Sequence, residues 1–229
     1  MPLSDRDYMK NEPPRSGQRK FQPPARISIN PLLVLVVINV VFFIGTMIAP
    51  SARYSLGEGA MIYTDRISFT LGFSPTLIAD HPWTFITYMF IHDGFMHFLF
   101  NMFALFIFGQ TLRRFIGDNT FLLVYFVGGL GASLLYWVIN INEPSLMVGA
   151  SGAVYTIAGA LVMLVPKMRI ALWGIIPMPL WVFVLVFLVI LSLPGLAKAT
   201  TAWQAHFGGL IVGVIAGFIF RRRLRFLMY

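Results

Sequence analysis

Residues 147–165 read Met147-Val148-Gly149-Ala150-Ser151-Gly152-Ala153-Val154-Tyr155-Thr156-Ile157-Ala158-Gly159-Ala160-Leu161-Val162-Met163-Leu164-Val165, an uncharged run in which one serine is bracketed by small residues. A membrane-crossing helix needs about 20 mainly apolar residues, so the run predicts a span. A lone serine in such a helix ordinarily bonds back to its own i−4 carbonyl. Ser151 therefore becomes a catalytic candidate only through what accompanies it.

Composition supports the same solvent for the rest of the chain. Of 229 residues, 58% are hydrophobic and 11% charged, with a mean hydropathy of +0.77; an average soluble domain carries roughly 25% charged residues. The reading is an all-α polytopic membrane protein. Spans are predicted near 31–49, 94–112, 120–140, 147–165, 171–193 and 202–220. The first starts at Pro31, a residue suited to the first helical position, and is expected to act as a signal anchor. An outer loop, 51–90, mixes apolar and charged residues and is expected to form short helices at the bilayer surface; a connection of that length is usually functional. Domain organisation follows: a basic, disordered cytoplasmic tail over 1–28, a six-span catalytic unit over 29–221, and a short basic cytoplasmic tail over 222–229. With no cysteine in the chain, disulfides and thiolate metal sites are excluded. No metal or other cofactor is expected.

Charge sets the orientation. With the N-terminus inside, all of the 17 Lys and Arg residues except Arg53, Arg66 and Lys198 fall on the inner side, as the positive-inside rule requires. Both termini are then cytoplasmic and the chain is a multi-pass protein of the lipid bilayer. The net charge of +8 is spread over tails and short loops. It offers no contiguous basic face for nucleic acid.

Orientation permits a comparison of depth. Spans two, four and six run from outside to inside, and Ser151 and His206 each fall about four residues past the start of their span, about 6 Å below the outer end at 1.5 Å per residue. They can meet. Intramembrane ionisable residues are functional candidates by default, and His206 is one. Span two adds His97 and Asn101, an i, i+4 pair sharing one helix face, as do Ser151 and Tyr155. Gly209, Gly213 and Gly217 form a small-residue ridge on span six, and Gly149 and Gly152 supply small residues on span four; such residues let helix backbones approach closely. A close crossing is what a serine nucleophile and its base require.

These elements resemble those of the rhomboid intramembrane serine proteases over roughly residues 30–220. His97-Phe98-Leu99-Phe100-Asn101 is similar to that family's HxxxN element, Gly149 to Tyr155 to its GxSGxxY element, and Ala205 to Gly213 to its AHxxGxxxG element. The resemblance implies a six-helix rhomboid-like bundle of the minimal prokaryotic form, placed in a plasma membrane. It implies a Ser151–His206 dyad without a carboxylate, an oxyanion met by the Ser151 N–H, His97 and Asn101, and Tyr155 packed against the imidazole of His206. Substrates would be membrane-spanning proteins, entering near span five and cut near the outer face. Where many relatives carry a Trp-Arg pair in the outer loop, Trp83 is here followed by Thr84. His81 and His92 read as loop or interfacial residues, with a place for His92 beside the site left open. Two other readings stand beside the protease: a non-proteolytic rhomboid-like chaperone or retrotranslocation factor, and a small transporter using His97, Asn101 and His206 as a polar path.

Overall fold

The computed structural model describes residues 30–172, 175–189 and 202–227. Most of them are helical. The first long helix, α1 (Pro31–Ile48), begins where Asn30 accepts a hydrogen bond from the Leu32 N–H at 3.0 Å. Helices α4 (Phe95–Ile116) and α5 (Asp118–Ile139) are joined through Gly117 alone, whose φ of 78° reverses the chain. An Arg113–Asp118 ion pair closes that turn. The shorter α6 (Ser151–Leu164) and the long α8 (Trp203–Leu227) complete the bundle. Four segments, Pro31–Ile48, Phe95–Ile116, Asp118–Ile139 and Trp203–Arg222, are long and apolar enough to cross a membrane. Their outward faces keep large apolar side chains exposed, such as Val41, Phe103 and Leu123, which is the surface a lipid solvent accepts.

α6 is the central helix, with every residue from Gly152 to Leu161 buried. It packs against α4, α5 and α8. The seam with α8 is made of absent side chains. A Cβ on Gly209 would strike the Gly152 carbonyl, one on Gly213 the Thr156 carbonyl, and one on Gly217 the Ala160 carbonyl. These contacts advance one helical turn at a time on both helices, so the two backbones stay in register along the seam. Thr156 locks it with a hydroxyl that donates to the carbonyls of Gly152, at 3.0 Å, and Gly209, at 2.8 Å. α5 meets the same cluster through its own glycines: a Cβ on Gly128 would strike Thr156, and one on Gly208 would lie 2.7 Å from the Gly131 carbonyl.

Three predicted segments differ from what forms. The run 147–165 becomes helical only at Ser151, because Met147 is held extended by paired backbone bonds to Phe73 at 2.8 and 2.9 Å, and Gly149 takes a φ of 124°. The predicted span 171–193 begins as a hairpin, β3 (Arg169–Leu172) with β4 (Ile176–Pro179). Pro177 and Pro179 cannot sit inside a helix without losing its hydrogen bonds, so helix resumes only at Leu180, in α7 (Leu180–Phe183) and a π-helical turn, Val184–Val189. Residues 190–201 lie outside the described residues, as do 1–29, which hold the predicted tail. At the other end, the basic run after 221 continues α8 to Leu227 instead of leaving the helix.

The outer segment is more ordered than a set of surface helices. β1 (Ser51–Gly57) pairs antiparallel with β2 (Ala60–Asp65) around a Gly57-Glu58-Gly59 turn in which all three residues have positive φ. Short helices α2 (Arg66–Leu71) and α3 (Thr84–Thr87) follow, with 3₁₀ turns at Pro75–Leu77 and Tyr88–Phe90. Asp65 caps α2 by accepting from the Ser68 N–H at 2.8 Å. Trp83 donates its indole N–H to the Thr70 carbonyl at 2.9 Å, and Thr84 is buried with its hydroxyl on the His81 carbonyl at 2.6 Å. A compact threonine fits that buried turn, where the longer arginine of the Trp-Arg pair would need another course.

Candidate active site

Ser151 is the first residue of α6 and His206 lies in the first turn of α8. His206 Nε2 and Ser151 Oγ are 2.9 Å apart. The distance follows from the seam: Ser151 precedes Gly152 and His206 sits one turn before Gly209, whose bare Cα faces the Gly152 carbonyl. For the hydroxyl to donate, Nε2 must be the unprotonated nitrogen, which assigns the proton of a neutral ring to Nδ1. The Tyr155 ring stacks on the imidazole, with centroids 4.1 Å apart and planes at 14°. Stacking restrains the ring rotation that Ser151 depends on.

The serine's place at a helix start has a second consequence. The first N–H groups of a helix have no intrahelical partner, and the helix dipole makes that end favourable for negative charge. His97 faces this point from α4, with Asn101 one turn further along the same helix. The Asp93 N–H donates to His97 Nδ1 at 3.3 Å, which assigns the proton of the neutral ring to Nε2, and Nε2 fronts the bare Cα of Gly149: a Cβ there would lie 2.9 Å from it and 3.7 Å from Ser151 Oγ. Asn101, buried, gives one amide hydrogen to the His97 carbonyl at 2.8 Å. An amide nitrogen carries two. Of the predicted site residues, Ser151 and Tyr155 both meet His206, His97 faces Gly149 beside them, and Asn101 lies one turn further along α4; Gly152 and Gly209 meet next to the dyad, and Gly213 packs on Thr156 one turn deeper. Asp93 meets His97 through its backbone N–H.

His92 is a residue whose role the sequence understates. It is 4% exposed, its Nε2 accepts from the Ala150 N–H at 3.4 Å, and its ring meets His97 edge to face at 5.3 Å. It therefore supports the turn that presents Ser151. Burial pushes its pKa down to about 3; the neighbouring His97 adds to the fall and the Phe90 backbone opposes it. The ring is neutral at pH 7. The spacing His92-x₄-His97 on the approach to α4 is the one signal of this role in the sequence. Tyr88 carries no such signal, yet its carbonyl accepts from the Gly149 N–H at 3.0 Å and its hydroxyl donates to the Gly129 carbonyl at 2.9 Å. The outer segment is bonded in this way to the strand leading into Ser151.

A cavity of 460 Å³ lies beside this turn, between the end of α1, β2 and residues 92–95. Thr64, Asp65, His92 and Asp93 give it polar walls. It reaches the site through His92 and Val148 and is not lined by Ser151 or His206. Among the described residues no cluster of His, Cys, Asp or Glu has the arrangement of a metal site.

The Rhomboid domain family matches residues 79–223, which contain every one of these site residues. The chain belongs to the rhomboid family. It is an integral membrane protein, as that membership and the four membrane-length helices among its described residues support. It is 28% identical to RHOMBOID-like protein 5 of Arabidopsis thaliana over 92% of this chain and 74% of that one. Identity is 34% with RHOMBOID-like protein 6, mitochondrial, of the same plant, over 61% of this chain and 44% of the relative. With the Rhomboid protease GlpG of Haemophilus influenzae it is 31%, over 60% and 69%. The chain thus spans less than half the length of one of these relatives. Rhomboid relatives of this chain include proteins named as proteases.

Proposed function

We propose that the chain is an intramembrane serine endopeptidase that hydrolyses peptide bonds of membrane-spanning proteins near the outer face, through a Ser151–His206 dyad and an acyl-enzyme. The observation that carries this reading is the 2.9 Å approach of His206 Nε2 to Ser151 Oγ. His206 takes the serine proton as Oγ attacks the scissile carbonyl, and returns it to the leaving amine. The oxyanion falls at the start of α6, before the Ser151 N–H, His97 Nε2–H and the second amide hydrogen of Asn101, donors placed where charge develops. Tyr155 does for the imidazole ring what a carboxylate does in a triad: it limits orientation. It does not offset the imidazolium charge.

Deacylation needs water, which the bilayer core lacks. The dyad's place in the first turns of α6 and α8, near the partly polar 460 Å³ cavity under the outer segment, supports access from the outer side. Both termini then face the cytoplasm, in keeping with the basic residues at the inner ends of the helices. Purified chain in liposomes with a single-span substrate should cleave it, and Ser151→Ala and His206→Ala should each reduce cleavage by at least about 10³-fold while keeping the helical circular dichroism. Cleavage retained by a folded Ser151→Ala variant sinks the reading.

A further inference from the structure

At the end of the bundle opposite the dyad, a cleft of 450 Å³ opens between the last turn of α4, the chain leaving α6 and the late turns of α8. Its walls are Phe115, Val165, Pro166 and Met168, and two cations, Lys167 and Arg221, complete it. No acidic residue lines it. Two other basic residues at this end are occupied by the protein itself. Arg113 pairs with Asp118, and the Arg222 guanidinium lies 4.4 Å from the centroid of the Phe218 ring. Among the described residues neither Lys167 nor Arg221 has a carboxylate partner.

The cleft lies where α4 and α6 end. The last carbonyls of α4 and α6 carry partial negative charge, so a basic residue there is favourable, but those carbonyls cannot supply a full counter-charge. The cleft therefore combines an uncompensated double positive charge with an apolar wall. A small inorganic anion would satisfy the charge and leave the wall uncovered. An amphiphile with an anionic head satisfies both, and basic pockets between membrane helices on the cytoplasmic side are suited to such heads. Its volume lies within the roughly 300–1,000 Å³ of ligand-holding clefts.

We propose that this cleft holds one anionic glycerophospholipid, its phosphodiester between Lys167 and Arg221 and its glycerol and first acyl methylenes against Phe115, Val165 and Met168. The lipid ties the inner ends of α6 and α8, the two helices whose outer ends carry Ser151 and His206. The assignment concerns binding and is independent of the protease reading.

The test is native mass spectrometry of the purified full chain from micelles containing equal amounts of phosphatidylglycerol and phosphatidylcholine. One phosphatidylglycerol is retained in preference to phosphatidylcholine. Retention falls about five-fold in Lys167→Gln or Arg221→Gln and about thirty-fold in the double variant, survives in Lys167→Arg, and changes less than about two-fold in Arg222→Gln. Inorganic phosphate at matching concentration does not displace it. The proposal is overturned by equal retention of the two lipids, by an Arg222→Gln loss as large as that of Arg221→Gln, which would mean diffuse surface charge, or by displacement with inorganic phosphate.

Discussion

Along the seam of α6 and α8, Gly209, Gly213 and Gly217 bring one helix backbone onto the other, whereas α1 meets the bundle through the buried side chains of Leu32, Leu35, Asn39 and Phe43. The remaining face of α1, with Val37, Val41, Ile44 and Met47, is exposed. The difference follows from the solvent. Lipid is as apolar as leucine, so a side chain on α1 gains little by touching protein in place of lipid, and helix association rests on close packing and interhelical hydrogen bonds. The seam is tight because side chains are missing. It sets a distance, and the distance it sets is that between Ser151 and His206.

The sharpest way to break this contrast is to add atoms at the seam. Gly209→Val places a branched side chain against the Gly152 carbonyl, one residue from Ser151. Overpacking costs about 1–3 kcal/mol, and a displacement of about 1 Å at a reacting pair costs roughly 10²-fold in rate. Cleavage by the folded fraction should fall by at least that factor, measured on a single-span substrate in liposomes. Thr156→Val is milder, because it keeps the volume and removes the hydroxyl shared by the Gly152 and Gly209 carbonyls. A loss of about 1 kcal/mol in unfolding free energy is expected, with cleavage lowered about ten-fold; steric trapping or thermal unfolding in detergent reads the first figure.

His92 sharpens the comparison through pH. Its folded pKa, about 3, lies below the ordinary value of 6.5 because burial disfavours the charged ring. Between those values the unfolded chain binds a proton that the folded chain does not. Its stabilising share is thus present above pH 6.5 and is lost as pH falls toward 3, at up to about 1.4 kcal/mol per pH unit. His92→Gln can still accept from the Ala150 N–H but cannot take up the proton, so its unfolding midpoint should fall less steeply between pH 7 and 4. An unchanged slope would remove His92 from the account. Smallest of all, Val41→Ala or Ile44→Ala on the lipid face of α1 should change stability by less than about 0.5 kcal/mol and leave the cleavage rate unaltered.

The same contrast explains which parts of the fold and of the site are legible in the amino-acid sequence. Seam residues carry a local signal, small residues at i, i+4, i+8, and Ser151, His206, His97 and Asn101 stand out because polar groups in apolar runs are costly. Their spacing along the chain and the alternation of helix direction are enough to group them. Thr156 is harder to find, since a hydroxyl next to Tyr155 on an apolar helix looks like any other small side chain until its two carbonyl partners from different helices are seen. Hydropathy misplaces the start of α6 because Met147 is apolar yet extended, held by the Phe73 backbone, and Val148 follows it outside the helix. A long-range bond of that kind leaves no periodicity. By contrast, the β1–β2 hairpin has a legible turn in Gly57-Glu58-Gly59, and the Pro177 and Pro179 pair marks the break in the predicted fifth span.

The most direct test of the central claim, that the glycine seam assembles a serine nucleophile with its histidine base, is labelling of the purified chain with a fluorophosphonate, scored on the fraction that keeps its helical circular dichroism. The account predicts labelling of the intact chain at Ser151, none in Ser151→Ala, and a rate in Gly209→Val that falls to that of His206→Ala. Labelling of folded Gly209→Val at the rate of the intact chain would contradict it.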